Sequence, residues 1–371
     1  MRTVSTPRAV RAAVLEAPGR LVLTDLPRPR IGDDDGILRV EACGLCGTDH
    51  EQFTGELFGG APLIPGHETV GVVEELGPAA ARRFGVRVGD RVAVEVFQSC
   101  RRCPPCVAGA VRHCVAHGLA DAYGFTPRHR TPGLWGGYAT HLYLAPDACL
   151  LPVPDGLDPV TATLFNPLGA GLRWAVRVPA LAAGAVVAVL GPGVRGLAAL
   201  VAARRAGAGF VMVTGRGRRD APRLALAARL GADLCVDVAE VDPVAALAEG
   251  TGRLADVVVD VTAKAPAALG QAVALARPGG TVVLAGTRGG DATPGFAPDL
   301  VVYKELHMIG ALGVDPADYR EALELLADGG TGYETIPHTT VTLEGAAGLL
   351  TEMSGEGAGD GEPPIHGVIV P

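Results

Sequence analysis

The chain is poor in aromatic side chains: Phe, Tyr and Trp make up 4% of its 371 residues, and only two of these are Trp. Core packing must therefore come mostly from Ala, Val and Leu, and there is no aromatic platform on which a sugar ring could stack. Excess positive charge is also missing. The formal net charge of −8 argues against a nucleic-acid-binding surface. No uncharged apolar run reaches bilayer-spanning length, so no membrane partner is expected. The stretch Met1 to Arg11 has basic residues but no apolar segment, so no secretion signal is read and the cytoplasm is the expected location. What is present suits a well-filled globular protein, with 48% hydrophobic and 19% charged residues. The length is too great for one ordinary core, so two domains are expected.

Four of the eight cysteines crowd together. Cys100, Cys103, Cys106 and Cys114 follow the spacing C-x2-C-x2-C-x7-C. Four thiolates this close in sequence can close a tetrahedron around one zinc ion and leave no position open for chemistry. Arg101, Arg102, Pro104 and Pro105 suit a loop wrapped on a metal rather than a helix or strand. Disulfides are the competing reading. The missing secretion signal and the scatter of the other cysteines weigh against them.

The texture of the chain changes along its length. Residues from about 10 to 165 read as short strands separated by Gly and Pro, among them Val10–Val14, Ile37–Val40, Val70–Glu74 and Arg91–Val94. From about 170, strand and helix patterns alternate. Strands are expected at Val186–Leu190, Phe210–Val213, Val257–Val261 and Thr281–Ala285, with helices at Gly196–Ala206 and Arg223–Leu230 and an Ala-rich stretch at Ala265–Ala276. Such alternation implies parallel strands joined by right-handed crossovers. A helix at Pro316–Ala327 and a strand at Gly367–Val370 follow, with a surface loop expected at Ser354–Pro364.

Strand Val186–Leu190 runs into Gly191-Pro192-Gly193-Val194-Arg195-Gly196, a G-x-G-x-x-G between a strand and a helix. The first glycine permits a tight turn, the second lets a pyrophosphate approach the backbone, and the third lets helix and strand pack closely. The helix N-terminus then offers N–H groups to the phosphates. A site that prefers NAD ends its second strand with Asp or Glu, which binds the ribose hydroxyls. Here that strand ends Val213-Thr214-Gly215 and continues into Arg216, Gly217, Arg218 and Arg219. Arginines can pair with a ribose 2′-phosphate, so the expectation leans slightly to NADP. Exposed arginines on a loop, with Asp220 nearby, are the plainer alternative.

Upstream lie Cys43-Gly44-Leu45-Cys46-Gly47-Thr48-Asp49-His50 and Pro65-Gly66-His67-Glu68. Cys46 and His67 are good zinc ligands, Asp49 could orient His67, and Glu68 could ligate or stand just behind. With the four-cysteine loop and the downstream glycine motif, these segments resemble zinc-dependent medium-chain alcohol dehydrogenases over almost the whole chain. The G-T-D and G-H-E texture looks nearer the polyol and threonine dehydrogenase branch than the animal ethanol-oxidising branch.

The resemblance implies a doubly wound Rossmann parallel sheet at 169–311. It also implies a mostly-β, GroES-like catalytic domain at 1–168 and 312–371, with a structural zinc lobe at about 97–117. Cys46, His67 and Glu68 would then be catalytic zinc ligands, and Thr48 the hydroxyl that bonds the substrate oxygen. Cys100, Cys103, Cys106 and Cys114 would hold a structural zinc. Gly191, Gly193, Val194 and Gly196 would cradle the pyrophosphate, with Gly215 and Arg216 at the ribose. Val261, Thr262, Ala285, Gly286 and Thr287 would line the nicotinamide side. A hydride would pass between a small alcohol or carbonyl compound and NAD(P), in a homodimer or homotetramer. Cys43, Cys149 and Cys235 match no ligand.

Two departures from the family pattern stand out. Asn166 occupies the place of the usual third zinc ligand, where a neutral amide oxygen is weak. Glu51, preceded by His50, replaces the usual relay histidine. Asn166-Pro167 also keeps open a zinc-free reductase of the same superfamily, and the fold alone would allow a non-catalytic dinucleotide-binding protein. Phe97, Leu119, Tyr123 and Trp135 are candidate pocket walls.

Overall fold

The computed structural model describes residues 9–57, 60–288, 293–354 and 364–371. The loop expected at Ser354–Pro364 lies almost wholly outside them. Seven strands come first: β1 (Val10–Ala17), β2 (Arg20–Leu26), β3 (Gly36–Gly44), β4 (Glu68–Leu76), β5 (Arg91–Val94), β6 (His141–Leu144) and β7 (Leu150–Pro152). Six more follow: β8 (Val186–Leu190), β9 (Phe210–Gly215), β10 (Leu234–Asp237), β11 (Ala255–Asp260), β12 (Ala276–Leu284) and β13 (His307–Gly310). Then come β14 (His338–Val341) and β15 (His366–Ile369). Among the described residues no helix is long and apolar enough to cross a membrane.

The chain divides into two compact units, one of 1–165 with 337–371 and one of 166–336. The first unit carries a seven-stranded sheet in the order β14-β15-β3-β4-β5-β7, with β6 also paired to β3. All of its pairings are antiparallel except β14 with β15. A separate hairpin joins β1 and β2. Its core is built on Ile37, Leu38, Leu142 and Leu144, all fully buried. Tyr123 and Trp135 belong to this core. The Tyr123 hydroxyl accepts the Ala145 N–H at 3.0 Å, and the Trp135 indole N–H donates to the Arg130 carbonyl at 2.8 Å. Their polar tips are thus satisfied within the fold and neither is a free pocket wall.

The second unit is a six-stranded parallel sheet in the order β10-β9-β8-β11-β12-β13. That is the doubly wound order, in which the winding turns back between β8 and β11. Strand β8 is buried along its whole length, as a central parallel strand with helices on both faces must be. Several expected elements shift. The helix expected at Arg223–Leu230 spans Gly217–Arg229, so Arg218 and Arg219 sit in its first turn and not on a loop. Asp237 Oδ1 accepts the Gly217 N–H at 2.8 Å and Asp220 Oδ2 accepts the Arg216 N–H at 2.8 Å, which satisfies the helix start earlier than the sequence suggests. The helix Pro316–Asp328 and the residues back to 312 lie in this unit, whereas the catalytic domain was expected to resume at 312. Ion pairs from Arg177 to Asp318 and Glu321, and from Arg173 to Asp315, hold that helix in place.

Candidate metal and dinucleotide sites

Strands β3 and β4 are antiparallel neighbours, and Gly44 at the end of β3 faces Glu68 at the start of β4. The pairing brings the segment just after β3, which carries Cys46, beside His67 and Glu68. The ligand atoms of the three residues all lie within 4.8 Å of one another, and all three residues are buried. Zinc binds sulfur at about 2.3 Å and nitrogen at about 2.0 Å, which puts neighbouring donors roughly 3.5 Å apart. One ion can therefore reach all three. Gly44 is required by this arrangement, since a Cβ there would stand 2.6 Å from Glu68 Oε2.

Asp49, fully buried, ties the two segments together. Its Oδ2 accepts the Cys46 N–H at 2.9 Å, its Oδ1 accepts the Gly66 N–H at 3.2 Å, and the same Oδ1 lies 3.3 Å from His67 Nδ1. A carboxylate beside Nδ1 turns Nε2 toward the cluster, the arrangement in which an imidazole can offer Nε2 to a metal. Burial opposes a charge on His67, but the Asp49 carboxylate and the Cys46 sulfur outweigh it and hold its pKa well above the usual imidazole range. The cluster thus favours a positive charge at its centre. Thr48 is half-buried, in the first turn of the helix Gly47–Thr54 that Cys46 opens.

Some neighbours of this cluster carry no recognisable sequence signal. The Phe125 ring lies 5.5 Å from the His67 ring. His366, fully buried on β15, places Nε2 3.2 Å from where a Gly44 Cβ would stand, and its Nδ1 lies 2.9 Å from His338 Nδ1. Burial and the neighbouring His338 push the pKa of His366 down to about 3.

The ligand atoms of Cys100, Cys103, Cys106 and Cys114 also lie within 4.8 Å of one another, and none of the eight cysteines takes part in a disulfide. Backbone N–H groups of Arg102 and Cys103 point at the Cys100 sulfur and lower its pKa to about 6. Those of Val115 and Cys106 lower that of Cys103. Burial instead pushes Cys106 up to about 11. A loop that aims N–H groups at two sulfurs favours thiolates, which are the form that binds metal.

In the parallel sheet, Gly191 directly follows β8 at φ +98°, and a Cβ at Gly196 would overlap the Gly191 carbonyl. Gly193 opens the helix Val194–Arg205 with empty space where its side chain would be. The three glycines thus serve turn, approach and packing in that order. Val194, the first residue of the helix, presents its carbonyl to the Tyr333 hydroxyl at 2.7 Å. Gly215 ends β9, and Arg216 is exposed.

Val261 and Thr262 follow β11, while Ala285, Gly286 and Thr287 follow β12. The N–H groups of Ala285 and Gly286 both donate to the Asp260 carbonyl, at 2.9 and 3.1 Å. The buried Asp260 carboxylate accepts from Thr262 N at 3.0 Å, from Thr262 Oγ1 at 2.6 Å, and from Arg288. All these positions therefore lie at the carboxyl ends of β8, β9, β11 and β12, where open α/β sheets bind ligands. Asn166, 2% exposed, has both ends of its amide engaged, by Arg195 and by Tyr319.

Residues 32–155 match the alcohol dehydrogenase GroES-like domain, and residues 195–328 match the zinc-binding dehydrogenase domain. The chain is 66% identical to the probable alcohol dehydrogenase of Mycobacterium tuberculosis, over 98% of each chain. It is 31% identical to the sorbitol dehydrogenase of Bacillus subtilis, over 88% of each. A protein of Sinorhizobium meliloti 1021 solved in complex with NADP, a zinc-binding dehydrogenase by name, superposes with a TM-score of 0.80 at 30% identity, over 98% of this chain and 99% of that one. With both domain models matched and a relative this similar along nearly its full length, the chain belongs to the zinc-dependent medium-chain alcohol dehydrogenase family.

Proposed function

We propose that Cys46, His67 and Glu68 hold the catalytic zinc of an NAD(P)-dependent alcohol dehydrogenase, and that Cys100, Cys103, Cys106 and Cys114 hold a second, structural zinc. The observation that carries this reading is the buried cluster of one cysteine, one histidine and one glutamate, with the Asp49 carboxylate beside the histidine. When bound, the zinc would supply Lewis acidity at the alcohol oxygen and the nicotinamide would supply a hydride acceptor. The chain's own residues do the rest. Asp49 fixes the imidazole and the Cys46 segment. The Thr48 hydroxyl, two residues past Cys46, accepts the alcohol proton and passes it outward. Backbone N–H groups at Gly193 and Val194 bind the pyrophosphate. Val261, Thr262, Ala285, Gly286 and Thr287 border the nicotinamide.

The unit 1–165 with 337–371 acts as the catalytic domain and the unit 166–336 as the dinucleotide domain. Glu68, not Asn166, completes the donor set, because the Asn166 oxygen already accepts from a guanidinium. NADP is the favoured dinucleotide, since Arg216 directly follows β9, Arg218 and Arg219 lie in the first turn of the next helix, and Asp220 is turned to the Arg216 N–H. The NADP complex of the Sinorhizobium relative is in line with this. Secondary alcohols and polyols are the favoured substrates, in keeping with the sorbitol dehydrogenase relative. The active species is a homodimer or homotetramer.

The test is a turnover screen over secondary alcohols, polyols and hydroxy acids with each dinucleotide, combined with zinc analysis. Two zinc ions per chain and chelator-sensitive reduction of NADP+ are expected. One zinc ion, with turnover indifferent to chelator, would overturn the reading.

A further inference from the structure

Two histidines of the first unit meet behind the proposed metal cluster. Strand β15 runs antiparallel to β3, with Val368 opposite Gly44 and Ile369 opposite Cys43. The Leu45 N–H donates to the Gly367 carbonyl, so the alignment continues past Gly44 and sets His366 beside the Cys46 segment. On its other side β15 runs parallel to β14, with His338 paired directly to His366. Paired residues share a face of the sheet, and here the rings touch. Their centres are 5.1 Å apart, the planes are inclined at 68°, and the two Nδ1 atoms lie 2.9 Å apart. The other ring nitrogen of the fully buried His366, Nε2, has no hydrogen-bond partner among the described residues. It faces the space that Gly44 leaves open. A Cβ at Gly44 would stand 3.2 Å from His366 Nε2 and 2.6 Å from Glu68 Oε2, so imidazole and carboxylate border the same buried gap.

A neutral imidazole carries one N–H and one lone pair, and a hydrogen bond between two Nδ1 atoms needs one of each. If His366 gave the N–H at Nδ1, its Nε2 would keep a lone pair. Two acceptors would then face each other across a buried gap, which is costly where the dielectric is low. If His338 gives the N–H, His366 carries its own proton on Nε2 and turns a donor toward the carboxylate. We propose that His338 donates from Nδ1 to His366 Nδ1, and that His366, fixed in this tautomer, presents Nε2–H to Glu68 as the positioning residue of that carboxylate. Carboxylates that bind a metal are themselves steadied by hydrogen bonds from residues behind them. Asp49 steadies the Cys46 and His67 side of the cluster, and the histidine pair steadies the Glu68 side.

The inference rests on the reading of Cys46, His67 and Glu68 as zinc ligands, and two measurements test it. The first is long-range 1H–15N NMR of the full, zinc-loaded chain labelled with 15N-histidine, the signals being assigned with His338→Gln and His366→Gln. His366 should show its proton on Nε2 and His338 on Nδ1; the reverse pair of tautomers would overturn the proposal. The second is zinc affinity by competition with a chelator. His366→Leu should bind the ion of the Cys46 cluster about tenfold more weakly, while the four-cysteine lobe keeps its own. His366→Gln, which retains an N–H near the place of Nε2, should recover part of the loss. Affinity in His366→Leu equal to that of the unaltered protein, or a loss that glutamine does not relieve, would overturn the role of His366. A single zinc ion in the unaltered protein would instead bring down the metal reading itself. Should His366→Leu fail to fold, the tautomers of the unaltered protein decide the matter.

Discussion

Asp49 Oδ1 lies 3.3 Å from Nδ1 of His67, and the other oxygen of the same carboxylate accepts the Cys46 N–H at 2.9 Å. One buried anion therefore orients two of the three proposed ligands. Asp49→Asn keeps the shape but loses the charge. It should lower zinc affinity at this site by about 10–100-fold, as measured by competition with a chelator. Equal affinity in the variant would show that Asp49 has no such role.

Cys46→Ser should abolish turnover while the fold and the four-cysteine lobe survive. Zinc per chain should fall from two to one with little change in the thermal midpoint. Retained activity would assign the chemistry elsewhere.

Cys103→Ser should do the opposite. Metal binding at a closed site contributes folding free energy, so the loss should be on the order of several kcal/mol and appear as a lower unfolding midpoint. Chelator should lower the midpoint of the unaltered protein and have little further effect on the variant.

Arg216→Ser combined with Arg218→Ser should reduce kcat/KM for NADP+ by about tenfold and leave that for NAD+ nearly unchanged. An equal fall with both dinucleotides would refute the pairing with a 2′-phosphate.

Asp256 gives a pH-dependent test. Burial tends to raise its pKa, but hydrogen bonds from Arg277, the Val186 N–H and Arg253 prevail and hold it below the usual carboxylate range. A depressed folded value means that the carboxylate stabilises the protein above its unfolded pKa of about 3.9, and that this is lost as pH falls through the lower folded value. Asp256→Asn should therefore lower the unfolding midpoint at pH 7. The difference from the unaltered protein should vanish toward pH 2. A difference that is the same at both pH values would mean that Asp256 acts through packing and not through charge.

The four-cysteine lobe was legible because its ligands are neighbours in sequence. The glycine loop was legible because strand, turn and helix follow one another directly. Cys46 with His67 and Glu68 was harder, since their proximity depends on the β3–β4 register that sets Gly44 opposite Glu68. Their residue types marked them as possible ligands, and the resemblance to a known family supplied their roles. The partners of Asn166 could not be read at all. An amide carries neither charge nor diagnostic spacing, and Tyr319 reaches it only because the helix Pro316–Asp328 packs within the second unit. The start of the helix at Gly217 was hidden for a similar reason, because Asp237, on the next strand, supplies the acceptor.

The pairing of β15 with β3 bears on how the enzyme is made. Leu45, next to the proposed ligand Cys46, donates its N–H to the Gly367 carbonyl at 2.9 Å, and Gly44 pairs with Val368. These partners leave the ribosome long after Cys46 does. The parallel sheet between them can close while translation continues, whereas the Cys46 segment must wait for its last neighbour. Zinc loading at that centre should accordingly be a late event, completed after the nucleotide-binding half has already folded.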